Sequence, residues 1–283
     1  MLISEGKALV AGATNNIALT FDIDEGWHVY WPGQNDTGFA PTVELTLPEG
    51  WEAGEIQWPA PHRYIAPGNI LDHIYEDGEA TFIIPITIPK DANPGAVRLT
   101  ADLEWLVCRE ACIPGWETVT LETSVALTGA RIAPSEHADR FAKARERHAV
   151  PLKPDPHPRR LPPTRWATLS WQDGTLRIAP DVPPRSGDSE SDIARPVSIA
   201  FYPDAKSSPI EDLLNRGESR GDAARPPAPL RLEREDASKP ISGIVEVRFL
   251  DRSRPALYRI ETRPLGEPSG TASQPDSDTD PDD

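Results

Sequence analysis

The sequence predicts an all-β protein with two immunoglobulin-like antiparallel β-sandwich domains, a short helix and Pro-rich linker between them, and a disordered acidic C-terminal tail. Three observations lead to this prediction. Apolar residues alternate with polar ones from residue 17 to 127, and short runs of the same kind return between residues 165 and 263. Pro, Gly, Asn and Asp, which favour turns, separate the runs. The 283-residue chain also has 32 prolines and a mean hydropathy of -0.47, which favours two modules over one compact core.

The first domain is assigned to residues 1–130. Five runs in it have an apolar residue at nearly every second position, so each is predicted to be a strand with one buried face. The expected core residues are Ile17, Leu19, Phe21 and Ile23, then Val43, Leu45 and Leu47, then Phe82, Ile84, Ile86 and Ile88, then Val97, Leu99, Ala101, Leu103, Trp105 and Val107, and finally Val119, Leu121, Val125 and Leu127. Repeated short strands of this kind predict an antiparallel sandwich of immunoglobulin-like size.

The connection between the domains is assigned to residues 131–164. Its first part, residues 135–149, has helical periodicity and offers Ser135 as the N-cap. The following "VPLKPDPHPRRLPP" is so rich in proline that we expect an extended, semi-rigid linker.

The second domain is assigned to residues 165–263 and contains no cysteine. It is expected to begin with a hairpin that turns at Asp173-Gly174. Four further strands are predicted in "PVSIAFYP", "LRLERE", "GIVEVRFL" and "ALYRIET". Residues 183–195 and 215–229 are rich in Pro, Ser, Gly and Arg, and are therefore expected to be mobile loops.

Charge and hydropathy exclude several classes of partner. The net charge is -16, and no Lys- or Arg-rich run offers a local site for phosphates, so nucleic acid is not an expected partner. Residues 264–283 are acidic and poor in large apolar side chains, which predicts a disordered tail. No stretch approaches the ~20 apolar residues of a transmembrane helix. The N-terminal "MLISEGKALVAG" lacks a basic segment followed by an apolar one, so a signal peptide is not visible.

The two cysteines of the chain lie close together in "EWLVCREACIPGW", residues 104–116. Strand alternation places the even-numbered Cys108 and Cys112 on the face away from the core. If residues 109–111 close a three-residue hairpin loop, the cysteines face each other with Cα atoms ~4.5–5.5 Å apart. That distance is at the short end of disulfide geometry, so we expect a solvent-facing bond with some strain.

Spacing alone leaves three interpretations of the pair: a redox-active disulfide, a structural staple and a metal site. A strained, accessible disulfide is readily attacked, and closing so short a loop adds little stability, which favours exchange. Arg109 would favour a thiolate and Glu110 would oppose it, so the direction of the thiol pKa is not determined. His28, His62 and His73 could join the thiols around Cu(I) or Zn, but they match no tight ligand motif. We therefore predict no metal and no cofactor.

Several motifs of the first domain resemble a known family. They are "GWHVYW" at 26–31, "PEG" at 48–50, "WPAP" at 58–61, "YED" at 75–77, and "WLVC" at 105–108 with "CIP" at 112–114. Through them, the sequence from about residue 5 to 128 resembles the N-terminal periplasmic domain of the thiol:disulfide interchange protein DsbD family, especially its ScsB-like branch. Because the likeness begins almost at Met1, we expect that a signal peptide lies upstream of the given start.

The resemblance implies that Cys108 and Cys112 receive electrons and pass them on through mixed disulfides. By analogy, Cys112 is expected to attack the substrate and Cys108 to resolve the adduct. The family covers its cysteines with a short cap loop, and Tyr75 is the candidate shield. The matching cap residues in this chain are Asp72, His73, Ile74, Tyr75, Glu76 and Asp77.

The expected function is therefore an extracytoplasmic thiol:disulfide exchange module, a protein-disulfide reductase. Its expected partners are a thioredoxin-like electron donor domain or a membrane electron conduit, and exported disulfide-containing proteins. The chain departs from the family in two ways: its cysteines are closer together than in the best-known members, and no membrane or thioredoxin segment follows Leu127. Two alternatives remain, a two-sandwich binding or scaffold protein with a structural disulfide, and a copper-handling protein.

Overall fold

The fold is all-β, as the alternating pattern predicts. A computed structural model describes residues 1–152, 167–172, 175–180, 195–222, 224–250 and 254–262. The strands are β1 Leu2–Ser4, β2 Leu9–Val10, β3 Thr14–Tyr30, β4 Thr42–Thr46, β5 Glu52–Ala53, β6 His62–Ala66, β7 Ile70–Thr87, β8 Gly95–Cys108, β9 Cys112–Ala126, β10 Val150–Pro151, β11 Ala167–Gln172, β12 Thr175–Pro180, β13 Pro196–Pro203, β14 Glu218–Arg220, β15 Leu230–Leu232, β16 Ser242–Phe249 and β17 Ala256–Glu261, and the helices are α1 Ala138–Arg145 and α2 Leu213–Arg216.

Several predicted segments lie outside the described residues. They are most of the Pro-rich linker, the Asp173-Gly174 turn, most of the 183–195 loop and the acidic tail. In the part of the chain that the structure describes, neither helix has the length and apolar character needed to cross a bilayer.

The first module is one nine-stranded sheet folded over its own apolar core. The strands follow the order β2-β9-β8-β3-β7-β5, while β1 pairs with β3, β4 with β8 and β6 with β7. Most of the predicted core residues are buried, and Ile17, Leu19 and Phe82 have no exposed surface. Leu127 is an exception, because it is 68% exposed just beyond the end of β9.

Long strands β3 and β7 pair along most of their length but slip in register where β3 turns at Gly26. Ile23 pairs with Gly78, whereas the next pair along the strands is His28 with Glu76. Asp77 and Gly78 of β7 both have positive φ at this point, 46° and 106°. Such an irregularity changes which residues of a strand face the core. This change positions the side chains around the cysteines.

The second module contains a five-stranded sheet, β10-β17-β16-β13-β14, and a three-stranded sheet, β11-β12-β15. Their facing apolar residues form a core that includes Leu176, Leu232, Ile199 and Val245. One segment departs from the prediction. Residues 215–229, expected to be a mobile loop, hold the end of α2 and the strand β14, which pairs with β13.

The segment predicted to link the domains packs against both modules. Helix α1 begins at Ala138 rather than at Ser135, because the Ser135 hydroxyl donates to the Ser4 carbonyl and so fixes the preceding turn on the first module. Phe141 of α1 is fully buried against the outer face of β3 and β7. Val150 and Pro151, expected to start an extended linker, form β10 and pair in parallel with β17.

The two modules share a continuous apolar interface. Odd-numbered residues of β13, such as Phe201, face the core of the second module, whereas Ala200 and Tyr202 belong to the core of the first. Arg147, just after α1, donates to the carbonyls of Ala60 and Pro61 and pairs with the buried Glu246 of β16 at 3.3 Å. A sheet that is apolar on both faces must be covered on both, and the first module covers the second face of this one.

Candidate redox site

The cysteine pair closes the β8–β9 hairpin as predicted. The strands pair in one unbroken register that runs from Gly95 opposite Val125 to Cys108 opposite Cys112. Residues 109–111 form the connecting loop, and a disulfide joins the cysteines across Cα atoms that lie 4.1 Å apart. The structure thus confirms that the two cysteines are cross-strand neighbours, with a somewhat shorter separation than expected.

The two sulfur-bearing residues have very different access to solvent. Cys112 is exposed, whereas Cys108 is only 3% exposed. Both cysteines face away from the main core, but the expectation that both face solvent is wrong for Cys108. Tyr30 and Ile74 cover Cys108 from the neighbouring strands, and Tyr64 and Leu106 pack around this small cluster.

The side chain of Tyr30 lies against both sulfurs. Its hydroxyl donates to Cys108 Sγ at 3.0 Å and lies 3.6 Å from Cys112 Sγ. Burial raises the pKa of this hydroxyl, so it stays protonated and remains a donor. Gly38 lies so close over the ring that a Cβ there would overlap it.

A row of polar contacts leads from the sulfur to a buried carboxylate. Thr37 Oγ1 donates to Asp72 Oδ2 at 2.6 Å and lies 3.2 Å from the Tyr30 hydroxyl. Because Thr37 gives its only proton to Asp72, it does not donate to the Tyr30 hydroxyl, whose own proton is directed to Cys108 Sγ. A disulfide sulfur is a weak acceptor, but a Cys108 thiolate would be a strong one. The Tyr30 hydroxyl that donates to Sγ of the disulfide can therefore also stabilise a Cys108 thiolate without movement of any heavy atom.

His28 lies on the other side of Tyr30. Its Nε2 is 3.4 Å from the Tyr30 hydroxyl, and its ring packs edge-on against the Tyr30 ring. Burial lowers the pKa of His28, which keeps the imidazole neutral near the sulfurs. The site therefore surrounds Cys108 with neutral donors and apolar groups.

The predicted cap segment is part of strand β7 rather than a loop. Ile74 pairs with Tyr30 and packs against Cys108, whereas Tyr75 pairs with Val29 and faces the main core. The Tyr75 hydroxyl donates to the Pro59 carbonyl at 2.7 Å. The expectation that Tyr75 shields the sulfurs is therefore corrected: strand alternation gives that position to Ile74 and Tyr30.

The other residues of the predicted cap segment have separate positions. Asp72 accepts from the backbone N–H groups of Asp36 and Thr37 as well as from the Thr37 hydroxyl. Glu76 lies 3.9 Å from His62 near the surface, and Asp77 accepts from the Gly26 N–H. Only Asp72 and Ile74 of the six are thus connected to the environment of Cys108.

The three histidines considered as metal ligands lie in different places. His28 is next to Tyr30, His62 lies near the surface beside Glu76, and His73 is fully buried against Tyr202 of the second module. Across residues 1–152 and the described parts of the second module, no three His, Cys, Asp or Glu side chains come together as a metal site needs.

The second module holds the loop that carries Thr37. The Pro203 carbonyl accepts from the Gln34 N–H and from the Trp31 indole, and Gln34 Oε1 accepts from the Ile210 N–H. Asn35 Oδ1 accepts from the His73 N–H of β7 at 2.7 Å. The loop is therefore fixed between the two modules and sets the position of the Tyr30 hydroxyl.

We expect Tyr30→Phe to raise the pKa of the Cys108 thiol by about 1 to 2, because one hydrogen bond to a charged group is lost. The change can be measured from the ultraviolet absorbance of the thiolate in a Cys112→Ser background. Tyr64→Phe is the matched control, because it keeps a ring of the same cluster. Equal thiol pKa values in the two variants would contradict the role given to Tyr30.

Comparison with known proteins gives a family match and a fold match. Residues 2–124 match the family model described as thiol:disulfide interchange protein DsbD, N-terminal. Among solved structures, the chain is similar to the N-terminal periplasmic domain of ScsB from Proteus mirabilis, with 12% identity, a TM-score of 0.51, and coverage of 90% of this chain and 91% of that chain.

A second structure, the DsbD N-terminal domain of Neisseria meningitidis in the reduced form, is 15% identical with a TM-score of 0.26, and the match covers 47% of this chain and 90% of that one. No curated protein matches the chain in sequence. The first module of this chain thus resembles the N-terminal domain of DsbD in sequence, and its two modules together share the fold of the ScsB N-terminal periplasmic domain.

Proposed function

We propose that this chain is an extracytoplasmic thiol:disulfide exchange module in which Cys112 exchanges with partners and Cys108 resolves. The observation that carries the proposal is the unequal burial of the two cysteines, with Cys112 exposed and Cys108 held beneath Tyr30. An incoming thiolate needs access to one sulfur and a leaving group at the other. The site offers both.

Reduction of the module would proceed in two steps. A donor thiolate attacks Cys112 Sγ, the bond to Cys108 breaks, and Cys108 leaves as a thiolate that the Tyr30 hydroxyl stabilises. The second thiolate of the donor then attacks the donor sulfur of the mixed disulfide and releases Cys112. The donor ends as a disulfide, and two electrons have moved to the cysteine pair.

Transfer to a substrate would reverse these roles. The Cys112 thiolate attacks a disulfide of the substrate protein and releases one substrate thiolate, which takes up a proton. Cys108 then attacks Cys112 Sγ, restores the internal disulfide and releases the second substrate thiol. Resolution is favoured because the two cysteines are opposed on adjacent strands, with Cα atoms 4.1 Å apart.

The partners follow from the same proposal. Electrons would come from a thioredoxin-like domain or a membrane electron conduit, and would pass to exported disulfide-containing proteins. The proposed location is extracytoplasmic, in support of which the similar ScsB structure is described as an N-terminal periplasmic domain.

Single-cysteine variants test the assignment of roles. We expect Cys108→Ser to form a stable adduct with oxidised glutathione, and Cys112→Ser to react about tenfold more slowly, because access governs the rate of thiol exchange. Mass spectrometry of the intact protein measures both. Faster adduct formation by Cys112→Ser would reverse the assignment.

The reduction potential separates exchange from a structural role. Equilibration of the wild-type protein in glutathione buffers should give a value in the range of about -120 to -270 mV that exchange-active proteins occupy. A value below about -300 mV would mark a structural disulfide and favour the scaffold alternative. Stoichiometric uptake of Cu(I) by the reduced protein alone would instead favour copper handling.

A further inference from the structure

The outer face of the β8–β9 hairpin forms a row of side chains that leads away from the disulfide. Directly opposed residues of an antiparallel pair point to the same side of the sheet. On this side the pairs are Cys108 with Cys112, Leu106 with Pro114, Glu104 with Trp116, and Asp102 with Thr118. The hydrogen bond from the Thr118 hydroxyl to the Asp102 carboxylate confirms that these side chains share one face.

The row is unusually apolar for an exposed surface. Trp116 is 76% exposed, the highest value among the exposed large apolar residues of the described chain, and Pro114 beside it is also exposed. A strand rises about 3.4 Å per residue, so the Cα atom of Trp116 lies about 13 Å from that of Cys112. This distance fits within one interface of ordinary size, where exposed tryptophans often supply much of the binding energy.

Carboxylates border the apolar row. Glu104 is the cross-strand neighbour of Trp116, and Glu44 of β4 pairs with Asp102 on the same sheet. All three acidic residues are exposed. Two bases lie near this hairpin: Arg98 of β8 is paired with Glu122, and Arg109 of the connecting loop lies over the Trp27 ring, 4.9 Å from its centre. The face therefore has an apolar centre and a negative border.

We propose that this face, from Cys112 to Trp116, is the docking surface for a thiol donor protein whose reactive cysteine is bordered by Lys or Arg and an apolar patch. The inference rests on the proposed function, because it assumes exchange at Cys112. Complementary charge steers the encounter, and Trp116 anchors the apolar part of the partner.

Two synthetic peptides serve as probes. Each has one cysteine and a leucine four residues away, with two lysines in one peptide and two glutamates in the other. A peptide with one thiol forms only the mixed disulfide, so attack at Cys112 is followed by alkylation of the Cys108 thiol that it releases. Each rate is normalised to the reaction of the same peptide with a small neutral disulfide, which removes differences in thiol pKa. We expect the basic peptide to react about tenfold faster at low ionic strength, and the ratio to fall towards one in about 1 M salt.

Variants locate the effect on the molecule. The acidic border is neutralised by Glu44→Gln, Asp102→Asn and Glu104→Gln. These substitutions should lower the ratio of the basic-peptide rate to the acidic-peptide rate at least about threefold. The matched control neutralises three exposed carboxylates at the far end of the sandwich and should leave the ratio close to that of the wild type. The control substitutions are Glu49→Gln, Glu52→Gln and Asp91→Asn.

Trp116→Ala tests the apolar anchor. It should slow the reaction of both peptides with the disulfide about fivefold, and it should leave reduction by dithiothreitol unchanged because that small thiol needs no docking surface. Leu127→Ala, at the far end of β9 and 68% exposed, is its control. Rates that depend neither on peptide charge nor on Trp116 would overturn the docking face while the exchange function stands. A disulfide that neither the peptides nor dithiothreitol can reduce would instead overturn the proposed function itself.

Discussion

Arg63→Ala is expected to lower the free energy of unfolding by about 2–4 kcal/mol, because it removes a buried donor from the Leu214 carbonyl and a buried partner from the Glu218 carboxylate. Arg63 lies on β6 with only 8% of its side chain exposed. Its guanidinium donates to the carbonyls of Leu213 and Leu214 at 3.2 and 2.6 Å, and lies 3.6 Å from the Glu218 carboxylate. These carbonyls belong to α2. The Leu213 carbonyl also accepts from the Gly217 N–H, so Arg63 matters most for the Leu214 carbonyl near the end of the helix.

Urea unfolding followed by intrinsic fluorescence measures the effect, since Trp31 is buried at the same interface. Arg98→Ala is the matched control, because Arg98 forms a surface pair with Glu122 in which both side chains are about 70% exposed. Surface pairs of this kind contribute little, so its stability should stay close to that of the wild type. An Arg63→Ala variant as stable as this control would show that the polar contacts of Arg63 do not hold the modules together.

The same substitution should affect the cysteines. Residues 31–37 lie between the modules and carry Thr37, which neighbours the Tyr30 hydroxyl. If Arg63→Ala loosens this loop, Cys108 loses part of its cover, and dithiothreitol should reduce the disulfide faster than in the wild type. The second module would then contribute to the redox site although it contains no cysteine.

His73 is expected to make the protein less stable in acid. The ring is fully buried, and burial lowers its pKa from 6.5 to about 4. Its Nδ1 lies 2.7 Å from the Gln34 carbonyl oxygen, and its Nε2 has no hydrogen-bond partner. The charged groups that act on it are Arg63, Asp72 and Asp36.

The sign of the effect follows from proton binding. Below pH 6.5 the unfolded chain protonates this histidine, whereas the folded protein does not do so until about pH 4. The free energy of unfolding therefore falls by about 3 kcal/mol across this interval, and the contribution of His73 is fully present only above it.

His73→Asn tests the assignment. Asparagine can still donate to the Gln34 carbonyl but does not titrate. Over the same pH interval, the free energy of unfolding of the variant should therefore fall by about 3 kcal/mol less than that of the wild type. Both proteins contain the same carboxylates, so subtracting one curve of unfolding free energy against pH from the other removes the carboxylate contribution. Parallel curves would show that His73 already binds its proton in the folded state near pH 6.5, the ordinary value for histidine.

The local structure of the first module could be predicted from sequence because it depends on neighbours along the chain. Alternation from Val97 to Val107 and from Val119 to Val125 defines two strands, and the short segment between them permits only a tight hairpin. The opposition of Cys108 and Cys112 follows directly. Their shared direction, away from the main core, follows from the same parity.

Tyr30 was missed although it lies in the quoted motif "GWHVYW". The alternation that buries Val29 and Trp31 places His28 and Tyr30 on the opposite face, which was the available signal. What faces that side, however, is Cys108, 78 residues away. Pairing over such a distance depends on the register of strands β3 and β8, which no local pattern encodes.

The expectation for Tyr75 rested on the family resemblance, and strand parity along β7 would not have corrected it. Phe82 and Ile84 suggest that even-numbered residues of β7 face the core. The irregularity at Asp77-Gly78 reverses this parity, so Tyr75 is buried in the core and Ile74 reaches the sulfur cluster. A positive φ at a glycine is compatible with the sequence but is not specified by it.

By itself, the sequence determined the all-β class, the hairpin and the position of the cysteine pair, because these depend on periodicity and on contacts close along the chain. Only the tertiary structure decided that one sulfur is buried under Tyr30 and that the second module fixes the loop behind it. The sequence does contain one sign that the modules pack together: "SIAFYP" has apolar residues at both odd and even positions. A strand apolar on both faces needs two coverings, but which surface supplies the second depends on how whole modules fit together.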